Sequence, residues 1–118
     1  MFKISNNDFK LLTKYKKLMN NIDNLLENVP RKDFYYKDRL KCECDNLLLY
    51  IFECSYELNK DNIKKYYKKI KASIAAIDFM LDRLYTKKYI NEVNIYRIGN
   101  ELVEVNKIAT GWLNSFEI

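Results

Sequence analysis

Apolar residues recur along this chain at alternating intervals of four and three residues. This spacing is typical of an α-helix that buries one face. Four segments carry the pattern and predict helices over about 8–28, 34–58, 62–85 and 91–114. Four long helices joined by short connections pack as antiparallel neighbours. The sequence therefore predicts an all-α fold, an up-down four-helix bundle forming a single domain over 1–118.

The connections between these segments carry recognisable helix signals. Pro30 ends the first helix, because the residue before a proline is disfavoured in the helical region. Asp61 is the candidate N-terminal cap of the third helix, and Asn91 is a candidate cap of the fourth. With only two glycines and one proline in 118 residues, the chain lacks the turn residues that a strand-rich fold needs.

The second predicted helix is unusually apolar at its centre. Its seam residues are Leu40, Cys44, Leu47, Ile51, Cys54 and Leu58. Residues 47–52 read LLLYIF, which is apolar on every side of a helix. Such a segment requires cover on every side, which suggests a contact with another subunit through Leu49, Tyr50 and Phe52. The alternative is that Leu49 and Tyr50 are simply part-exposed, as single apolar residues often are.

The residues needed for common catalytic chemistry are missing from the sequence. It has no histidine and no Gly-rich phosphate loop, so we expect a protein that is not an enzyme and has no cofactor. Cys42 and Cys44 lie about 200° apart around a helix and cannot converge on one ion. With Cys54 as the only other thiol, we expect no metal site and three reduced cysteines.

The hydropathy of the sequence indicates where in the cell the protein is located. No stretch approaches the roughly 20 apolar residues of a membrane span, and the N-terminal sequence MFKISNNDFK lacks the apolar run of a signal peptide. We therefore expect a cytoplasmic protein with no membrane partner.

The positive charge is concentrated in one half-helix. Residues 60–71 contain six lysines and one aspartate, a local charge of +5 that equals the formal net charge of the whole chain. The lysines are Lys60, Lys64, Lys65, Lys68, Lys69 and Lys71. Tyr66 lies among them as a candidate stacking ring. A basic face with an interleaved aromatic attracts a phosphate backbone, whereas a purely solvated lysine face would serve solubility. Charge alone leaves both interpretations open.

Two further basic groups extend the candidate binding surface. Lys10, Lys14 and Lys17 form a second stripe on the first helix, and Arg31 and Lys32 lie in the first connection. Five phosphate contacts would give a log–log salt slope of about −3.5 on single strands and about −4.5 on duplex. No base-reading motif is visible, so we expect binding with weak sequence specificity.

Short motifs along the chain resemble a known family. They are Pro30-Arg31, Phe34, Asp38-Arg39, Leu47-Leu48-Leu49 and Gly111-Trp112-Leu113. From about Tyr15 onward the chain resembles the accessory variability determinant proteins of diversity-generating retroelements. It also resembles the related four-helix family encoded in intervening sequences of bacterial 23S rRNA genes. One departure is Tyr36-Lys37, where the family often has Leu-Gly.

The resemblance implies a homopentamer of four-helix protomers with a basic surface for nucleic acid. It also implies a reverse transcriptase partner, with template RNA and cDNA, and no activity of its own. Asp38 and Arg39 are expected to form an ion pair, within or between protomers, that orients the second helix; direct RNA contact is the alternative. Trp112 is expected in core or interface packing. The second functional hypothesis is an interaction scaffold of the intervening-sequence type, with no nucleic-acid role.

Overall fold

A computed structural model describes residues 6–116, and the side chains of residues 10–116. Over this range the chain forms four long helices and no strand. They are α1 (Asn6–Leu26), α2 (Phe34–Ser55), α3 (Lys60–Thr86) and α4 (Glu92–Asn114), with a single 3-10 turn at Arg31–Asp33 before α2. The predicted all-α fold with four helices is confirmed.

The helices pack as neighbours in chain order around one core. α2 packs on α3, α3 on α4 and α4 on α1, while α1 and α2 close the ring through a sparser contact. Hydrogen bonds at both ends of the α2–α3 pair show that these helices are antiparallel. Tyr36 near the start of α2 donates to the carbonyl of Met80 (3.3 Å). Tyr66 near the start of α3 donates to Glu53 near the end of α2 (2.8 Å). The bundle is 43 Å long and 25 by 23 Å across.

Most apolar residues that keep the four-and-three spacing are buried in the core, and one polar contact lies at its centre. The phenol of Tyr15 on α1 is buried and donates to the carbonyl of Cys44 on α2 (2.6 Å). Burial raises the pKa of the Tyr15 phenol and raises that of the Cys44 thiol to about 12. Cys44 and Cys54 are buried, Cys42 is exposed, and all three are free thiols. The buried thiols therefore serve as small apolar core residues.

The end of α2 differs from the prediction. The helix ends at Ser55 rather than at Leu58, and Leu58 is 94% exposed, so its assignment to the seam is wrong. The reason is local, because the Glu57 carboxylate accepts the backbone N–H groups of Leu58 and Asn59 (3.1 and 3.0 Å). These bonds turn the chain away from the core before Leu58.

The cap of α3 is Asn59, not Asp61. The Asn59 side chain accepts the backbone N–H groups of Asp61 and Asn62 (2.8 and 3.3 Å), and α3 begins at Lys60. Asn91 is confirmed as the cap of α4, where its side chain accepts the N–H of Asn94 (2.8 Å). Both caps satisfy backbone donors that have no partner within the helix.

Replacing Asn59 with alanine should lower the free energy of unfolding by about 1 kcal/mol, because two N–H groups at the start of α3 lose their acceptor. Urea denaturation followed by circular dichroism measures the change. Asp61→Ala is the matched control, since it keeps the cap and removes only a charge near the helix start. A larger loss for Asp61→Ala than for Asn59→Ala would contradict the assignment of the cap.

Asp33 links the connection between α1 and α2 to the turn between α3 and α4. Its carboxylate accepts the hydroxyl of Tyr89 and pairs with the ammonium of Lys87 (3.4 Å). The Tyr89 hydroxyl, followed by the charge of Lys87, lowers the pKa of Asp33 from its ordinary value of 3.8. The ionised carboxylate is therefore the form that stabilises this end of the bundle.

A carboxyl group whose pKa is lower in the folded than in the unfolded state stabilises the fold at pH values above its unfolded-state pKa. This stabilisation is lost as the pH falls through the folded-state pKa. Asp33→Asn should therefore reduce the urea midpoint near pH 7, and this difference from the native protein should shrink as the pH falls below 3.8. Urea titrations at pH 7, 4 and 2.5 measure it. A difference that stays constant across this range would show that ionisation of Asp33 does not contribute.

Candidate nucleic-acid interface

The lysines of 60–71 divide into two rows on α3. Lys71 donates to Thr110 (2.8 Å) and to Asn106, both on α4. Its side chain therefore points toward α4. Residues three and four apart share a helix face, so the preceding lysines at these intervals lie on the same side. We call this set the α3 row: Lys60, Lys64, Lys68 and Lys71. All but Lys71 are exposed, so three free ammonium groups border α4 on this side.

Lys65 and Lys69 lie on the other side of α3, toward α2. The Lys69 ammonium lies 5.6 Å from the ring centre of Tyr50 on α2 and 5.8 Å from that of Tyr66. Cation–π contacts of this kind are worth about 0.5–1 kcal/mol at exposed sites. The hydrogen bond from the Tyr66 hydroxyl to Glu53 raises the pKa of the tyrosine. Lys69 and Tyr66 thus stabilise the α2–α3 contact in addition to any role at the surface.

The lysine stripe of α1 borders α4 from the opposite side. Lys10, Lys14 and Lys17 are all exposed, and Asn21 continues the stripe four residues further on. The Asn21 amide donates to both carboxylate oxygens of Glu101 on α4 (2.8 and 2.9 Å). We call these three lysines the α1 row. Because α1 and α3 run parallel to each other and antiparallel to α4, both rows lie beside the C-terminal half of α4.

Arg31 and Lys32 do not join this surface. Both are exposed in the 3-10 turn before α2. That turn lies beside the end of α3, since Asp33 contacts Lys87 there. The predicted set of eleven basic residues therefore occupies two places. Nine of them lie around the end of the bundle where α3 starts, and these two lie at the other end.

Lys107 is a basic residue that the sequence analysis missed. It is exposed on α4, between the two lysine rows. Asn106 beside it faces α3, and Glu101 faces α1, while Val105 and Ala109 are buried. Lys107 consequently points outward from the middle of the surface. The spacing of the buried residues in α4 indicates that Lys107 faces outward. Lys107 was missed because it lies outside every lysine cluster in the sequence.

The residues predicted at a subunit interface fall into different environments. Leu49 is 54% exposed at the middle of α2, Phe52 is half-buried, and Tyr50 contacts Lys69 within the same chain. Trp112 is only 3% exposed, and it packs edge-on against Phe116 with ring centres 5.4 Å apart. Trp112 therefore belongs to the core of the bundle, and Leu49 is the exposed residue among these four.

Asp38 and Arg39 are both exposed, and neither forms an ion pair with a described residue. An ion pair of Asp38 or Arg39 within the chain is therefore absent from the part that the structure describes, and a pair between protomers stays a prediction. Asp33 and Lys87 instead link the start of α2 to the end of α3.

The described residues contain neither a candidate metal site nor a helix that could cross a membrane. No group of three or more potential ligands in them could hold a metal ion, and none of their helices is long and apolar enough to cross a membrane. No protein-family model matches this chain, and no curated protein or solved structure is significantly similar to it.

Proposed function

We propose that this protein is a non-catalytic, nucleic-acid-binding accessory subunit of a diversity-generating retroelement. In this role it assists the reverse transcriptase during mutagenic cDNA synthesis from a template RNA. The observation that supports nucleic-acid binding is the placement of two lysine rows on either side of α4. The resemblance described above supplies the retroelement, the polymerase partner and the template.

Electrostatics supports a polyanionic ligand. The exposed lysines of both rows make few bonds within the protein, so their charge is available to phosphates. Lysine is a flexible point charge that contacts the backbone without reading bases. Affinity for RNA should therefore depend steeply on salt and weakly on sequence.

We also propose that the protomer assembles into a homo-oligomer, a pentamer by the same resemblance. Leu49 supports a subunit contact, because it leaves apolar surface exposed in a stretch whose other residues are buried or half-buried. Five copies would carry a formal charge of about +25, a strong field for RNA at moderate salt. Light scattering at several protein concentrations measures the assembly, and a 14.3 kDa monomer throughout would contradict it.

The test of the nucleic-acid role is a binding titration with a fluorescein-labelled, 20-nucleotide single-stranded RNA between 50 and 300 mM salt. Five contacts predict a log–log slope of about −3.5. No binding at 50 mM salt would overturn the proposal. For the retroelement role, we expect a neighbouring reverse transcriptase gene and higher cDNA yield from that polymerase when this protein is added. An unchanged yield would contradict this part alone.

A second candidate function is an interaction scaffold, and a groove between α3 and α4 favours it. Ile74, Ala75 and Leu102 line the groove, with the exposed Val103 at its edge. The acidic side chains along the groove are Asp78, Asp82 and Glu92. The groove borders the α3 row at Lys71, but most of its lining is apolar with acidic edges, which suits a protein partner more than RNA. Failure of RNA binding at low salt would favour this alternative.

A further inference from the structure

The C-terminal half of α4 forms a ridge between the two lysine rows. α4 packs against both α1 and α3, whereas α1 and α3 do not contact each other. Viewed from outside, α4 therefore stands at a corner of the bundle with one row set back on each side. Packed helices lie about 8–10 Å apart, so the rows are separated by more than the width of one helix.

The outward face of the ridge has no side chain at Gly111 and carries little negative charge. Lys107 and Gly111 stand four residues apart on it, and both are exposed. A Cβ added at Gly111 would meet nothing within 4 Å, so core packing does not require a glycine there. A glycine within a helix costs about 1 kcal/mol relative to alanine. Its absent side chain leaves the helix backbone open to a close approach. Glu104 is the only exposed acidic residue of 102–116, and it lies on the same face one turn before Lys107.

Two separated rows of positive charge match a ligand with two phosphate strands. A double helix carries one strand on each side of a groove, whereas a single strand offers one line of phosphates. A single strand could occupy either row but would leave the other without a partner. The ridge between the rows corresponds to the groove between the two strands.

We propose that this face binds double-helical nucleic acid lengthwise over α4. The α1 row contacts one phosphate strand, the α3 row contacts the other, and Lys107 contacts a phosphate at the edge of the groove between them. This inference rests on the proposed nucleic-acid role and adds the class of ligand together with one further binding residue. Gly111 allows the backbone of α4 to approach the groove.

The experiment compares Lys107→Gln with Lys41→Gln. Both lysines are exposed, so each change removes one positive charge without touching the core. Lys41 lies on α2, the helix that does not contact α4. The probes are a 20-bp RNA duplex, a DNA duplex of the same sequence and the RNA single strand. They are titrated at 50–300 mM salt, with circular dichroism to verify folding.

We expect at least one duplex to bind tenfold or more tightly than the single strand at 100 mM salt. Lys107→Gln should reduce the salt slope on that duplex by about 0.9 and weaken binding about five- to tenfold. Lys41→Gln should leave both unchanged. The RNA and DNA duplexes distinguish A-form from B-form binding, and tighter binding of either supports the inference.

Equal affinity for the single strand would overturn the inference, and so would equal effects of the two variants. A companion variant, Lys64→Gln/Lys68→Gln, separates this failure from that of the proposed function. If it weakens binding while Lys107→Gln does not, the nucleic-acid role stands and the position of the ligand over α4 is wrong. If no probe binds at 50 mM salt, both proposals fail.

Discussion

The triple variant Lys60→Gln/Lys64→Gln/Lys68→Gln should bind RNA about 100- to 500-fold more weakly than the native protein at 0.1 M salt. Each lost phosphate contact lowers the log–log salt slope by about 0.7 on single strands and about 0.9 on duplex. Three lost contacts therefore correspond to two to three powers of ten at this concentration. Fluorescence anisotropy between 50 and 300 mM salt measures both the affinity and the slope.

These three lysines were selected because all are exposed and none bonds to another part of the chain. Lys69 and Lys71 are left in place, since Lys69 contacts two tyrosine rings and Lys71 binds α4. The free energy of unfolding should consequently change by less than about 0.5 kcal/mol.

The matched control removes three positive charges elsewhere, as Lys41→Gln/Lys88→Gln/Arg97→Gln. All three side chains are exposed and lie outside the two rows. If this control lost as much affinity as the triple lysine variant, RNA would respond to net charge alone, and the lysine rows would have no special role.

Trp112→Ala should lower the free energy of unfolding by about 3–5 kcal/mol, the usual cost of truncating a large buried aromatic. The side chain is 3% exposed and packs against Phe116, so its removal leaves a cavity near the end of α4. Urea denaturation at two protein concentrations measures the loss and separates folding from assembly.

Phe79→Ala is the control for this prediction, because Phe79 is also a large aromatic but is 66% exposed on α3. Its replacement should cost less than about 0.5 kcal/mol. If Trp112→Ala cost under 1 kcal/mol but dissociated an oligomer, Trp112 would lie at a subunit contact rather than in the core.

The four helices were predictable because helical periodicity is a local property of the sequence. Seam residues such as Leu18, Ile51 and Leu102 follow from spacing alone, and all are buried. Helix ends were harder, because they depend on single side chains that compete for the same backbone groups. Glu57 and Asn59 end one helix and start the next, and both compete with the apolar spacing that points to Leu58.

From the sequence, the positions of the lysines on the surface could be predicted only within each helix separately. Spacing places Lys64 and Lys68 on one stripe of α3, but it does not say which helix lies beside that stripe. That α3 and α1 both present lysines toward α4 follows from packing of segments some 50 residues apart in sequence. The structure shows this through the bonds of Lys71 and Asn21 to α4.

The ion pair at the end of the bundle could not be predicted from the sequence. The resemblance implies an ion pair for Asp38 and Arg39, but both are exposed and neither pairs with a described residue of the same chain. The ion pair at this end of the bundle instead joins Asp33 to Lys87, 54 residues away. Tertiary packing determines which residues form such long-range pairs, and the spacing of residues along the sequence does not predict them.

The placement of residues 60–71 at one end of a bundle 43 Å long also makes the protein an electric dipole. The local charge of residues 60–71 equals the formal net charge of the whole chain, so the largest excess of positive charge lies at the end where α3 starts. A polyanion would orient such a molecule before contact and draw that end toward itself. In a rotationally symmetric ring, the dipole components along the ring axis add, while those across it cancel. A ring whose protomers lean along its axis would therefore have one electropositive rim and one nearly neutral rim, and would load nucleic acid from one side only.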